Sequence, residues 1–259
     1  MTVHYEIVEH VAQVTIDRPE LLNAVDQATE DEMQRIWREI EGRSDIWCVV
    51  LTGAGERCFS SGADVQEAVK SGRSGFDYWS MEREGGFGGI ATRLTLNVPV
   101  IARVNGGAYG GGFEMVMGAD IVVAADHAKF GLTEPRLGFL PLDGGMVMLP
   151  RLIPAKHAMG MLMTGRRVTA DELAGFGLIN EVVPMAELDD AVTRWVDQIK
   201  LCSPRSIRAI KQVVRNTSHL APYVAMGQRL PALMDSLNGP DSDEGSRAFV
   251  EKRTPNWPE

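Results

Sequence analysis

The stretch that decides the fold of this 259-residue chain lies at residues 100–120 and reads VIARVNGGAYGGGFEMVMGAD. Its first five residues predict a strand, and residues 113–117 predict a helix that the preceding glycines open. Five glycines fall within the seven residues from Gly106 to Gly112. Glycine lets backbone approach a ligand closely, and the free N–H groups at a helix N-terminus suit negative charge. Glu114 falls in the first turn of this predicted helix.

Two interpretations of the glycine cluster stay open. The glycines could form a ligand site, or they could merely permit tight packing of the strand against the helix. Nucleotide motifs are disfavoured by spacing, because Phe113 stands where a phosphate-binding loop needs lysine and no G-x-G-x-x-G pattern occurs here.

Outward from this stretch, strands alternate with helices. Strands are predicted at residues 11–17, 48–52, 120–125 and 178–183. Met33, Ile36, Trp37 and Ile40 recur at helical spacing, with Asp26 or Thr29 placed to cap that helix. Further helices are predicted at 156–163 and 169–176. Repeated βα units indicate an α/β fold.

From about Met185 onward the strand pattern disappears. Four helices are predicted there, at residues 185–200, 204–217, 222–237 and 241–252. A helical tail of this kind commonly packs on the α/β body or on a neighbouring subunit.

Composition excludes some classes of function. The net charge of −9 and the pI near 5.1 argue against nucleic acid or an anionic membrane surface as a partner. Cys48, Cys58 and Cys202 show no metal-ligand spacing and indicate reduced thiols, and no metal site is expected. The first residues lack the pattern of a secretory signal, so a soluble, cytoplasmic protein is expected.

Two further segments could carry chemistry. Residues 130–145, FGLTEPRLGFLPLDGG, place Glu134 among Phe130, Leu132, Leu137 and Phe139, and such surroundings would raise the pKa of the Glu134 carboxyl. Taken alone, a loop glutamate is more often a solvated surface residue.

Residues 51–65, LTGAGERCFSSGADV, follow a strand and carry small residues before a predicted helix start. The plainer interpretation is an ordinary surface turn. A serine hydrolase is disfavoured, because Ser60 and Ser61 do not lie in a G-x-S-x-G elbow.

These three segments, in this order, resemble the enoyl-CoA hydratase/isomerase (crotonase) superfamily. The resemblance runs from the Ile16-Asp-Arg-Pro motif to the Phe249-Val-Glu-Lys-Arg motif. Four stretches are most similar to carnitinyl-CoA dehydratases: GGFGGI at 85–90, GGGFE at 110–114, TGRR at 164–167 and AFVEKRTPNW at 248–257. The fold implied is the crotonase spiral of ββα units.

The resemblance also implies roles for particular residues. Glu114 and Glu134 would be the catalytic acid and base, and the N–H groups of Ala63 and Gly111 would form an oxyanion hole for the thioester carbonyl. Contacts to substrate or coenzyme A are implied at Ala24, Ser61, Asp64, Val65, Gly110, Leu142, Phe249 and Lys252. Phe249 and Lys252 would come from a neighbouring subunit, although Lys252 could simply favour a helix C-terminus. Arg18 is a weaker candidate.

One departure from the family pattern concerns the acyl group. Typical hydratases have Pro-Gly-Ala-Gly-Gly where this chain has PLDGG at 141–145. Leu142 narrows the space near Glu134, and Asp143 is either a third acid or a turn residue, the latter being favoured because Asp-Gly is a turn signal. A polar, branched or carnitine-like acyl group is compatible with this change.

The function expected is reversible addition of water across the 2,3 double bond of an acyl-CoA thioester, with coenzyme A as part of the substrate and no separate cofactor. Two acids favour water chemistry over double-bond isomerisation, for which one acid often suffices in this superfamily. A carnitinyl-CoA dehydratase acting on crotonobetainyl-CoA is the first alternative. An isomerase, or a non-catalytic acyl-CoA-binding or RNA-associated homologue, is a further alternative.

Two regions are expected along the chain. Residues 1–199 would form the spiral core with the CoA-thioester site, and residues 200–259 a helical region that mediates trimers or dimers of trimers.

Overall fold

The computed structural model describes residues 2–72 and 74–258. Its strands are β1 (Val3–Val8), β2 (Val11–Ile16), β3 (Cys48–Gly53), β4 (Cys58–Ser60), β5 (Val100–Val104), β6 (Gly107–Tyr109), β7 (Ile121–Ala125), β8 (Lys129–Gly131), β9 (Val168–Thr169) and β10 (Glu181–Val183). Its helices are α1 (Gln27–Glu41), α2 (Val65–Ser71), α3 (Gly75–Ser80), α4 (Gly111–Gly118), α5 (Gly145–Leu152), α6 (Ala155–Thr164), α7 (Ala170–Gly175), α8 (Leu188–Lys200), α9 (Pro204–Thr217), α10 (Pro222–Met226), α11 (Pro231–Asn238) and α12 (Asp241–Glu251).

The described strands form two sheets. The six-stranded sheet has the order β1-β2-β3-β5-β7-β10, in which only the β1–β2 pair is antiparallel. The four-stranded sheet has the order β4-β6-β8-β9, with β8 and β9 antiparallel. Strands β3, β5 and β7 of the first sheet are each followed closely by β4, β6 and β8 of the second. This repeat of two short strands and a helix produces a spiral.

Side chains of β3 alternate between two apolar clusters. Val49 and Leu51 belong to the main core, which α1 and α4 cover, while Cys48 and Val50 pack with Leu188 and the rest of α8 on the opposite face. A parallel strand buried on both faces is expected to be almost continuously apolar. The sheet is therefore covered on both sides.

Most of the predicted elements are present. Strands β2, β3, β5 and β7 and helices α4, α6, α7, α9 and α12 lie within a residue or two of their expected bounds, and α1 contains the four residues whose spacing predicted it. Asp26 caps α1, since its carboxylate accepts from the N–H of Thr29 at 2.8 Å. The α/β fold with a helical C-terminal region is confirmed.

Some predicted bounds are wrong. The helix expected at 222–237 is two helices, α10 and α11, because Gly227 ends one and Pro231 begins the next. The strand expected at 178–183 is only β10, and the helix expected from 185 begins at Leu188 after a 3-10 turn. β1, the second sheet and helices α3 and α5 were not predicted, whereas α2 begins at Val65, where the sequence indicated a helix start.

Buried ion pairs attach α9 to the core. Lys211 Nζ lies 2.6 Å from Asp120 Oδ2, and Arg215 Nη2 lies 2.8 Å from Asp120 Oδ1. Lys211 also donates to the carbonyl of Val98 at 2.7 Å. These contacts join the C-terminal helices to the loop between α4 and β7. Within the described residues, no helix has the length and apolarity needed to span a membrane.

Arg93 is the hub of a second buried network. Its side chain is fully buried, and its guanidinium pairs with Glu41 at 2.6 and 2.8 Å and with Glu84 at 2.7 Å. It also donates to Gln34 at 3.2 Å. The network joins α1 to the segment between α3 and β5, which lies next to the site described below.

Replacing Arg93 by methionine is expected to lower the free energy of unfolding by about 2–4 kcal/mol, because Glu41 loses its partner while mostly buried. Urea unfolding followed by circular dichroism measures the change. Arg35→Met is the matched control, since its exposed pair with Glu39 is worth about 0.3–0.5 kcal/mol. Equal losses in the two variants would contradict this role for Arg93.

Candidate active site

Glu114 lies in the first turn of α4, where the glycine cluster ends. Its side chain is 2% exposed, and Oε1 accepts the N–H of Gly145 at 2.8 Å. Burial, with the nearby charge of Asp143, raises the pKa of Glu114 to about 8. The helix N-terminus would lower that pKa. Burial prevails here, so this carboxyl holds a proton at neutral pH.

Glu134 begins a 3-10 turn, Glu134–Leu137, immediately after β8. A Cβ atom on Gly110 would lie 3.2 Å from Oε1 of Glu134, so this carboxyl lies directly over the backbone that starts α4. Its Oε2 is buried and has no hydrogen-bond partner among the described residues. Burial raises the pKa of Glu134 as well. Of the apolar neighbours expected, Phe130 and Leu132 are buried, whereas Leu137 and Phe139 are exposed.

The loop after β4 meets α4 at its N-terminus. A Cβ atom on Gly62 would lie 3.0 Å from the nitrogen of Gly111, and Ala63 forms a β-bridge with Val25. Neither Ala63 nor Gly111 donates its N–H to any residue that the structure describes. The two N–H groups expected to form an oxyanion hole are therefore on adjacent segments.

Asn23 holds this loop in place. Its amide donates to the carbonyls of Cys58 at 2.7 Å and Ala54 at 3.0 Å, and its own carbonyl accepts from Ser60 Oγ at 2.8 Å. Asn23 has φ +55°, a left-handed conformation that asparagine tolerates better than most residues. Sequence reasoning missed Asn23, although an asparagine shortly after Pro19 is a usable turn signal.

Asp143 is not an exposed turn residue. It lies in the turn before α5, but it is 6% exposed, with Oδ1 2.9 Å from Arg83 Nη2 and Oδ2 accepting from the hydroxyl of Tyr78 at 2.7 Å. The guanidinium of Arg83 lies 3.6 Å from the centroid of the Tyr78 ring. We call Tyr78, Arg83 and Asp143 the acidic-turn cluster. Nothing in the sequence around Tyr78 and Arg83 indicated this contact.

The other residues expected to contact substrate lie mostly around the same loop. Ala24 is buried, Ser61 and Leu142 are half-buried, and Val65 is exposed at the start of α2. Asp64 caps α2 by accepting from two backbone N–H groups. Arg18 pairs with Asp64 at 3.3 Å and Asp26 at 3.0 Å, so it joins this loop to α1 and its charge is already neutralised.

Phe249 and Lys252 lie at the end of α12. Phe249 is 85% exposed, and Lys252 is exposed in a left-handed conformation that ends the helix. Asp241 at the start of α12 pairs with Arg205 of α9 at 2.7 Å. On this chain α12 is joined to the N-terminal end of α9 through Asp241, and its outer residues are exposed.

The sequence profile of the enoyl-CoA hydratase/isomerase family matches residues 6–259. The chain belongs to this family. Carnitinyl-CoA dehydratases from Escherichia coli strain K12 and Salmonella arizonae are each 37% identical to this chain over 254 residues. Each alignment covers 95% of this chain and 94% of the relative.

Solved structures of family members match the whole fold. Enoyl-CoA hydratase from Bacillus anthracis has a TM-score of 0.89 at 30% identity and covers 99% of each chain. Enoyl-CoA hydratase from Mycobacterium tuberculosis H37Rv has a TM-score of 0.89 at 28% identity, covering 99% of this chain and 98% of that one. The resemblance stated from the sequence, to the crotonase superfamily and within it to carnitinyl-CoA dehydratases, is confirmed.

The raised pKa of Glu114 makes stability depend on pH. Below about pH 4.5 the carboxyl is protonated in both the folded and the unfolded chain, so its contribution to the free energy of unfolding is fully present. As pH rises from there to about 8, only the unfolded chain releases the proton, and the folded state loses stability.

Glu114→Gln has no proton to release and can still accept the N–H of Gly145. Its stability relative to the unchanged protein should therefore rise between pH 5 and pH 9 by a few kcal/mol, since a tenfold change in proton affinity is worth about 1.4 kcal/mol. Denaturant unfolding at several pH values measures this, with exposed Glu187→Gln as control. A stability difference independent of pH would show that Glu114 titrates normally.

Proposed function

We propose that this chain is a hydro-lyase that adds water reversibly across the 2,3 double bond of an enoyl-CoA thioester. The observation that carries the proposal is the convergence of Glu114 and Glu134 on the start of α4, where the N–H of Gly111 has no acceptor among the described residues. Family membership supports the same reaction class.

The thioester carbonyl would accept hydrogen bonds from the N–H groups of Ala63 and Gly111. Attack at C3 moves negative charge onto that oxygen, so donors held in place there act mainly in the transition state. Removing one such donor from an enzyme site typically costs about 3–4 kcal/mol of activation free energy. Asn23 and the close contact at Gly62 hold the two segments together before substrate arrives.

The two glutamates would share one proton. As a water oxygen bonds to C3, one carboxylate takes a proton from that water, and the other, protonated, delivers a proton to C2. The overall addition is OH to C3 and H to C2, and it leaves the pair with one proton. Burial raises both pKa values, and the charge of Glu134 raises that of Glu114 further, which favours a singly protonated pair near neutral pH.

The second candidate activity is dehydration of a carnitinyl-CoA thioester. The observation that favours it is the 37% identity to carnitinyl-CoA dehydratases across nearly the whole chain. The chemistry is the same reaction in the opposite direction, with a trimethylammonium group on the acyl chain. The two candidate activities therefore differ in the acyl group of the substrate.

Assembly would complete the site. We propose that residues 200–259 mediate a homotrimer or a dimer of trimers, and that Phe249 and Lys252 of one subunit contact coenzyme A bound to its neighbour. The apolar groove between α9 and α11, with Ile210 and Val214 exposed, supports burial against a second copy. Sedimentation equilibrium tests this, and a monomer at micromolar concentration would contradict it.

Glu114→Gln and Glu134→Gln are each expected to lower turnover at least ~10²-fold, within the range for losing a general acid or base. Loss of the conjugated-enoyl absorbance of crotonyl-CoA and crotonobetainyl-CoA measures hydration. Glu187→Gln, exposed on the N-terminal side of α8, is the control and should keep full activity. Near-normal hydration by either site variant would rule out the two-carboxylate mechanism.

A panel of crotonyl-CoA, longer enoyl-CoA thioesters and crotonobetainyl-CoA separates the candidate substrates. Preference for crotonobetainyl-CoA would favour the carnitinyl activity over simple enoyl hydration. Binding of all these thioesters without turnover would contradict the hydro-lyase proposal and favour a non-catalytic acyl-CoA-binding role.

A further inference from the structure

The acidic-turn cluster lies beside Glu114, one of the two glutamates of the site. The chain leaves the loop after β4 at Ala63, forms α2 and α3, and returns to the site at Phe87. A Cβ atom on Gly111 would lie 2.5 Å from the Phe87 ring, so this ring packs directly on the start of α4. The segment from α2 to Phe87 therefore begins and ends at the site.

Asp143 ties this segment to the turn beside Glu114. Two residues after Asp143, Gly145 donates its N–H to Glu114. The carboxylate of Asp143 binds Arg83 through one oxygen and Tyr78 through the other. A Cβ atom on Gly86 would lie 3.3 Å from Asp143 Oδ1, so the backbone of Gly86 packs directly against the Asp143 carboxylate. The cluster therefore lies on the side of Glu114 that Gly145 contacts.

Polar atoms in and around the cluster lack partners. Arg83 Nε and Glu30 Oε1 are both buried and have no hydrogen-bond partner among the described residues. Glu30 accepts the N–H of Gly88 at 2.8 Å through its other oxygen and interacts electrostatically with both Asp143 and Arg83. An alkyl chain packed here would leave these groups unsatisfied, whereas a hydroxyl or amide group can both donate to Glu30 and accept from Arg83.

The charged side chains of this region disfavour a negatively charged substituent on the acyl group. Asp143 interacts electrostatically with three other carboxyl groups, those of Glu30, Glu114 and Glu134. The one guanidinium in contact with it among the described residues is that of Arg83. An anionic acyl substituent would meet an excess of acid in a buried setting, where like charges repel strongly.

We propose that Tyr78, Arg83 and Asp143 form a specificity-determining wall that selects short acyl groups with a hydrogen-bonding, non-anionic distal substituent. This inference rests on the proposed action on enoyl-CoA thioesters and names the acyl class for it. The wall acts on the acyl end of the substrate and takes no part in the proton transfers.

The test compares kcat/KM for 4-hydroxycrotonyl-CoA, crotonyl-CoA, 3-carboxyacryloyl-CoA and trans-2-octenoyl-CoA. The unchanged protein should prefer the hydroxylated thioester over crotonyl-CoA by ~10-fold or more and should use the anionic and eight-carbon thioesters least. Tyr78→Phe should reduce the hydroxyl preference at least ~5-fold and improve relative use of octenoyl-CoA. Tyr223→Phe removes the same hydroxyl at an exposed site and should change neither ratio.

Asp143→Asn is the second variant, because it keeps the shape of the side chain while weakening the Arg83 pair. It should relax the exclusion of 3-carboxyacryloyl-CoA. A purely structural role for the cluster would lower kcat/KM for all four thioesters by the same factor in both variants, and that result would overturn the proposal. Octenoyl-CoA as the preferred substrate of the unchanged protein would overturn it equally.

Binding separates failure of the wall from failure of the proposed reaction. Calorimetry with the saturated esters 4-hydroxybutanoyl-CoA and octanoyl-CoA needs no turnover. Tighter binding of the hydroxylated ester, lost in Tyr78→Phe, supports the wall even where no thioester is hydrated, which would sink only the hydro-lyase proposal. Tighter binding of octanoyl-CoA would overturn the wall while leaving hydration intact.

Discussion

The close approach of two backbone segments at the start of α4 is the constraint on which the rest of the site depends. Gly112 lies against the backbone of Ser60 so tightly that a Cβ atom there would be 2.9 Å from the Ser60 Cβ, closer than such atoms pack. This contact brings the Ala63 loop to the first turn of α4. Glu114, the N–H of Gly111 and the N–H of Ala63 come together because no side chain separates these segments.

The tight-packing interpretation of the glycine cluster is confirmed, and the ligand-site interpretation stays a prediction. Gly112 permits tight packing, while Gly110, with φ +54°, lies under the carboxyl of Glu134. Tight packing is what makes the site possible, because it excludes water from the carboxyl groups and so raises their pKa values. A looser junction would solvate Glu114 and return its carboxyl to the ionised state at neutral pH.

The acidic-turn cluster shows how one substitution in a family motif is accommodated. An aspartate in the turn before α5 adds a negative charge beside Glu114, which on its own would be costly to bury. Arg83 offsets this charge through an ion pair and Tyr78 through a hydrogen bond, both from a segment about sixty residues earlier in the sequence. The charge of Asp143 nevertheless still raises the pKa of Glu114. In our proposal, the same three residues give the acyl end of the site its polar character.

By itself, the sequence determined the longer helices and strands and pointed to the two glutamates, Glu114 and Glu134. Met33, Ile36, Trp37 and Ile40 predict α1 by their spacing, and the glycine run predicts where α4 begins, because these signals are local. Tertiary structure alone decided the second sheet, whose strands of two or three residues are too short for periodicity to show. It also decided the partners of Asp143 and the pKa of Glu114, because burial and long-range pairing depend on segments that only folding brings together.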